Sequence, residues 1–180
     1  MPQDAFHIRR LASELDSMLA GGRVNRVSQA DKDELALIIY TEKGALKLIL
    51  NTNASFTRVC VQKTEKPPLL AAPSFCMLLR KHLSGAQLLS VKQVDNERIL
   101  ALFLCFNDFS GGEKVLYAEL MGKYSNLILT ENGIIAGALK STSLENASGR
   151  ILFSGAKYAL PPAQDKVSPT DEAAFREKWQ

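Results

Sequence analysis

The chain has 180 residues, 46% of them hydrophobic, enough to bury one substantial core, or one domain with an appendage. Lys plus Arg number 22 against 19 Asp plus Glu, a formal +3, which excludes a polybasic tail and permits a local basic face. No stretch approaches the ~20 apolar residues of a membrane span, and the start, MPQDAFHIRR, lacks the apolar run of a secretion signal.

Asp4 precedes Phe6, Ile8, Leu11, Leu15, Met18 and Leu19, an apolar face at helical spacing that Gly21-Gly22 ends. Asp4 falls at the N-cap, where a carboxylate accepts orphan backbone N–H groups, and capping is by itself a sufficient reason for it. A β-meander follows: Arg23–Ser28, a polar turn over Ala30–Asp33, Glu34–Tyr40, a turn over Thr41–Gly44, Ala45–Leu50 and Phe56–Val61. Glu65–Pro68 breaks the pattern. Pro73 suits the first turn of a second helix over Ser74–Leu83, with Phe75, Cys76, Leu78, Leu79 and Leu83 toward the core. Arg80, Lys81 and His82 crowd its last turn, where cations suit the helix dipole, and Gly85 closes it.

The stretch Val91–Phe106, VKQVDNERILALFLCF, reads as two strands joined at the polar tip Asp95-Asn96-Glu97-Arg98, the second strand apolar enough to be buried on both faces. Such a strand is a rigid mount for polar groups at its end. Taken alone, Glu97 and Arg98 read more readily as hairpin charges in water, worth at most about 1 kcal/mol. Asp108–Glu113 then turns the chain into Lys114–Leu120, Met121–Ser125 into Asn126–Thr130, and Asn132-Gly133 tightly into Ile134–Leu139. Beyond Lys140 the pattern fades. Ile151–Phe153 reads as one more short strand, Pro-rich Tyr158–Ser168 as a linker, and Thr170–Trp179 as a helix whose abrupt end implies a piece of a longer protein. The sum is an α+β fold, an antiparallel β-sandwich of about eight to ten strands flanked by two helices. The boundaries are residues 1–165 for the domain and 166–180 for a linker and the start of a helical region.

Catalytic patterns are thin. His7 and His82 have no metal-ligand spacing, and His82 fits a basic helix end better than a general base. No phosphate-binding glycine loop or serine nucleophile motif is present. Cys60, Cys76 and Cys105 are odd in number, sit among apolar neighbours and form no CxxC pair, so they are expected to be buried, reduced thiols of a cytosolic protein. The reading is of a non-enzyme with no cofactor and no metal. What is present suits binding: Arg23 and Arg26 on one strand, Arg58 on another, Arg80-Lys81 on the second helix, and the basic turn Lys123-Tyr124-Ser125-Asn126. Guanidinium and ammonium groups neutralise phosphates, and a tyrosine ring stacks on an unpaired base.

The blocks MPQDAF, GGRVNRVSQADKDEL, FCMLLRKHLSGAQLLSVKQVDNERI, ELMGKYSNLIL and GALKS, in that order, resemble the N-terminal domain of the NFACT family, NFACT-N. That family includes ribosome quality-control proteins of the RqcH type, also labelled fibronectin-binding protein A-like. The resemblance runs over about residues 1–165. It implies a fold similar to the N-terminal domain of formamidopyrimidine-DNA glycosylases. It also implies a cytoplasmic tRNA-binding module of a factor that binds large ribosomal subunits carrying stalled peptidyl-tRNA. Such a factor recruits tRNA for mRNA-independent C-terminal alanine tailing. The family's Asp-Arg pair falls on Glu97-Arg98 and its N-terminal Asp on Asp4, with Glu97 one methylene longer than the usual Asp. Lys123-Tyr124 stands where many members carry Arg-His, so a cation and a flat ring are kept without the bidentate fork. Arg80 and Lys81 are further candidate RNA contacts.

The isolated domain is expected to be a monomer, with tRNA and the large subunit as partners. Two rivals remain. One is a fibronectin-binding surface adhesin, for which the chain lacks the sequence marks of secretion. The other is a DNA glycosylase-like nucleic-acid binder using the Pro2 amine, which Gln3 disfavours because an amide cannot serve as the acid–base partner.

Overall fold

The first apolar face winds into α1 (Ala5–Leu19), which buries Ile8, Ala12, Leu15 and Leu19. Asp4 caps it as the sequence requires, its Oδ1 accepting the His7 N–H at 2.8 Å. The computed structural model describes residues 3–63, 67–105, 112–142, 150–162 and 171–178. Within these, α1 leads into the strands β1 (Arg23–Asp31), β2 (Glu34–Thr41), β3 (Gly44–Asn51) and β4 (Arg58–Gln62), and then α2 (Ser74–Leu83). The second half holds β5 (Gln87–Gln93), β6 (Ile99–Cys105), β7 (Lys114–Glu119), β8 (Asn126–Glu131) and β9 (Ile134–Ala138). A short α3 (Glu172–Lys178) follows.

Alternation explains most of the strands. In β2, Leu35, Leu37 and Ile39 face the core, and Leu48 and Leu50 of β3 join them. Two boundaries move for local reasons. β5 begins at Gln87 rather than Val91, because a bulge between Leu88 and Ser90 hides its alternation. β4 begins at Arg58 rather than Phe56, because the preceding residues close a turn in which Thr57 Oγ1 donates to Asn53 C=O at 2.7 Å.

The nine strands form one antiparallel sheet in the order β4-β3-β2-β1-β5-β6-β7-β8-β9, where two separate sheets were expected. The halves join narrowly, β1 to β5, with Arg23 opposite Gln87 and with Val24 N–H bonded to Ala86 C=O at 2.8 Å. From that seam the sheet folds over one core. Leu37, Leu48 and Leu50 of one half share it with Leu100, Leu102, Leu116 and Leu129 of the other, and with Leu79 and Leu83 of α2. Each such side chain contributes about 1.5–3 kcal/mol on burial. Far from the seam, Lys140 Nζ crosses the layers to Thr52 C=O at 3.0 Å and to Asp33 at 3.6 Å. The open edge of β4 is met by Gln3, whose side-chain amide accepts from Val59 N–H at 3.0 Å and donates to Val59 C=O at 3.2 Å.

The segment at 150–162 departs from expectation. Ile151–Phe153 is not a strand, and Tyr158 is no linker residue. Leu152 packs with Ile128 and Ile135 on the outer face of the second half, and the Tyr158 ring stacks on Tyr117 at 4.1 Å. Of the thiols, Cys76 is buried as expected while Cys60 and Cys105 are half-buried, and none of the three is in a disulfide among the described residues. Phe106, residues 108–111 of the expected turn, Glu65-Lys66, residues 163–168 of the expected linker and Thr170 at the start of the expected helix lie outside the described residues.

Candidate functional site

Five connections gather at one end of the folded sheet. The β5–β6 turn is tight: Asp95 and Asn96 both take positive φ, 45° and 55°, and Glu97 N–H closes onto Val94 C=O at 2.9 Å. Arg98 leaves this turn with its carbonyl accepting from Leu120 N–H at 2.8 Å, so it is pinned beside the β7–β8 connection. That connection holds a 3₁₀ turn, Gly122–Tyr124, in which Lys123 Nζ lies 4.9 Å from the centre of the Tyr124 ring. Tyr124 is 70% exposed. Its neighbour Ser125 shares a 3.0 Å hydroxyl contact with Thr57, which brings the β3–β4 loop and the exposed ring of Phe56 to the same end. The β1–β2 turn and the chain after β9 arrive through Lys140.

The first turn of α1 is tied in by one side chain. Gln93, the last residue of β5, donates from Nε2 to Ala5 C=O at 2.8 Å and to Glu97 C=O at 2.9 Å. The backbone at Asp4-Ala5 and at Glu97-Arg98 is thereby joined through one amide, with Lys123 and Tyr124 on the neighbouring β7–β8 connection. Asp4 itself is engaged as the helix cap. Arg98 is half-buried, and its guanidinium has no side-chain hydrogen bond or ion pair among the described residues. The expected orientation of Arg98 by a bonded Glu97 is therefore not a feature of this structure.

Arg80 and Lys81 stand elsewhere. Arg80 Nε donates to Val27 C=O at 2.9 Å, which fastens α2 to β1, and Lys81 is exposed on the same helix. His82 is 3.9 Å from Glu131, which also binds Lys114 Nζ at 2.9 Å. Burial lowers the His82 imidazole from its usual value against the pull of Glu131. Among the described residues, no group of His, Cys, Asp and Glu has the makings of a metal site.

The sequence reading gave no role to Gln93 or Thr57 and named Ser125 only as part of the basic turn, yet these three assemble this end. Only the strand-end position of Gln93 could have marked it. It also passed over a second charged cluster. Glu119, at the end of β7 and 1% exposed, receives Arg150 through both carboxylate oxygens, at 2.7 and 2.9 Å, and the Tyr158 hydroxyl at 2.8 Å. Arg150 also donates from Nε to Ala159 C=O at 3.1 Å. Burial, and then the Glu119 charge, push the Tyr158 phenol well above its usual range. This cluster is saturated.

Comparison with known proteins gives the family. A family model described as "NFACT N-terminal and middle domains" matches residues 4–180. The chain belongs to the NFACT family. It is 37% identical to the Rqc2 homolog RqcH of Bacillus subtilis over 178 residues, which cover 95% of this chain and 31% of that protein. It is also 31% identical over 127 residues to the human ribosome quality control complex subunit NEMF, covering 69% of this chain and 11% of that protein. The NFACT chain thus spans about a third of the length of the bacterial relative. Among solved structures, the N-terminal domain of fibronectin-binding protein PavA from Streptococcus pneumoniae superposes with a TM-score of 0.87 at 29% identity. The match covers 98% of this chain and 69% of that one.

Proposed function

We propose that this NFACT chain is the tRNA-binding module of a cytoplasmic ribosome-associated quality-control factor. That factor acts on large subunits carrying stalled peptidyl-tRNA and recruits tRNA for C-terminal alanine tailing. The observation that carries the reading is Arg98: a guanidinium without a side-chain partner among the described residues, held on a hairpin end by backbone bonds. A fork so placed suits a phosphate or a base edge. Lys123 supplies a second cation and Tyr124 an exposed ring for an unpaired base. Asp4 serves the same site through the α1 cap, and Glu97 sets a negative charge beside Arg98 that accepts from an exocyclic amine. The chain selects and positions; peptide transfer belongs to the ribosome.

A fold likeness to the N-terminal domain of formamidopyrimidine-DNA glycosylases fits the same reading. Glycosylase chemistry does not, since Gln3 cannot ionise and its amide is spent on Val59. The likeness to the N-terminal domain of the fibronectin-binding protein PavA supports a second reading, a fibronectin-binding surface.

A gel-shift titration of the wild-type chain and of Arg98→Ala decides among these. The probes are bulk tRNA, a duplex carrying an oxidised base, and fibronectin. Binding of tRNA that falls at least tenfold in Arg98→Ala supports the proposal. Equal tRNA binding by both proteins, or binding of fibronectin alone, overturns it.

A further inference from the structure

Strict alternation would send Arg23 and Arg26, three residues apart, to opposite faces of β1. The structure prevents this. β1 carries a bulge at Asn25, so that Val24 pairs with Ile39 and Arg26 with the very next residue of β2, Ile38. Val24 and Val27 stay in the core while Arg23 and Arg26 both stand outside it, exposed. In the same cross-strand rows, Arg23 lies opposite Tyr40, which is 53% exposed, and Lys47 follows Ile38 on β3. The basic end of α2 is drawn to this flank by the Arg80–Val27 bond, and Lys81 is exposed beside it. β1 has no carboxylate before Asp31 and α2 has none; the carboxylate nearest the basic end of α2 is Glu131 of β8, 3.9 Å from His82.

We infer that the β1–α2 flank is a second RNA surface, one that grips the phosphate backbone without reading bases. Its cations are interleaved with exposed Asn25 and with the Tyr40 ring, groups that hydrogen-bond or pack against phosphate and sugar. The surface is separate from the tip. Arg23 pairs with Gln87 at the start of β5, whereas Arg98 follows the far end of the β5–β6 hairpin. At about 3.3 Å per residue the strand sets the two roughly 20 Å apart. One folded RNA can therefore touch both, the flank supplying salt-sensitive affinity and the tip discrimination.

The test uses this chain and a plain 20-base-pair RNA duplex, which has no unpaired bases, titrated at several salt concentrations. The variant is Arg26→Glu with Lys81→Glu, since neither side chain has a bonded partner among the described residues. Expected are a loss of about tenfold or more in duplex affinity and a log–log salt dependence shallower by about two. Arg98→Ala should lower tRNA affinity more than duplex affinity, whereas the reversed pair lowers both alike, so failure of the tip and failure of the flank are read separately. If the reversed pair does not fold, Arg26→Gln with Lys81→Gln is read in its place, with the same loss of slope at smaller amplitude. Unchanged affinity and slope overturn the inference, as does a wild-type chain that binds phosphatidylserine vesicles but not the duplex.

Discussion

Arg98 and Arg150 come to the same end of β7. The carbonyl of the first accepts from Leu120, while the guanidinium of the second grips Glu119 one residue away. In every other respect they diverge. Arg150 has its donors spent on two carboxylate oxygens and a carbonyl, next to a tyrosine that completes the set. Arg98 is held only by its backbone, and its side chain has no partner among the described residues. A charge satisfied on all sides has no donor left for a ligand and is costly to break, and a charge held by its backbone alone keeps its donors for something outside the fold.

The largest expected effect comes from breaking the saturated member. Arg150→Ala strands a buried carboxylate at Glu119 and should destabilise the chain by about 3–5 kcal/mol in urea melts. Adding Glu119→Leu should recover much of that loss, because an apolar pair of similar volume is often neutral. Arg98→Ala should do the reverse: stability within about 0.5 kcal/mol of wild type, with tRNA affinity down tenfold or more, about 1.4 kcal/mol per decade. Gln93→Leu lies between the two. It removes two hydrogen bonds from the amide that joins α1 to the tip, at about 1 kcal/mol each, and should weaken tRNA binding without touching Arg98.

The smallest effect concerns pH. His82 has its folded value below the usual 6.5, so on acidification the unfolded chain takes up the proton first. Stability should therefore fall as pH drops below about 6.5, and His82→Gln should flatten that part of the curve in melts between pH 5 and 7 without altering tRNA binding.

Helices and strands were readable wherever one face is apolar and a turn residue marks the boundary. Asp4 before α1, Gly85 after α2 (φ 83°) and Asn132-Gly133 between β8 and β9 (φ 50° and 79°) all hold as read. The folding of one sheet over itself was not readable, because pairing of β1 with β5 leaves no local mark. Neither was the Glu119–Arg150 pair, since partners 31 residues apart follow no periodicity. Tyr158 was misread because Pro161-Pro162 give its neighbourhood the composition of a linker, while its ring belongs to a packed face. At the candidate site Lys123-Tyr124 was named from its residue types, while Asp4, Glu97 and Arg98 were given a binding role by family likeness. Their joining through Gln93 is visible only in the fold, because a glutamine at a strand end carries no signal of what it will bridge.

The pairing of Gln3 with Val59 has a further consequence for how this protein behaves in a crowded solution. An outermost strand with bare amides is a template on which a neighbouring molecule can add its own strand, and a lone glutamine here occupies both backbone groups of one rung. A fusion or truncation that displaces the first residues would unmask that rung, and the outcome would be polymerisation along β4 rather than unfolding.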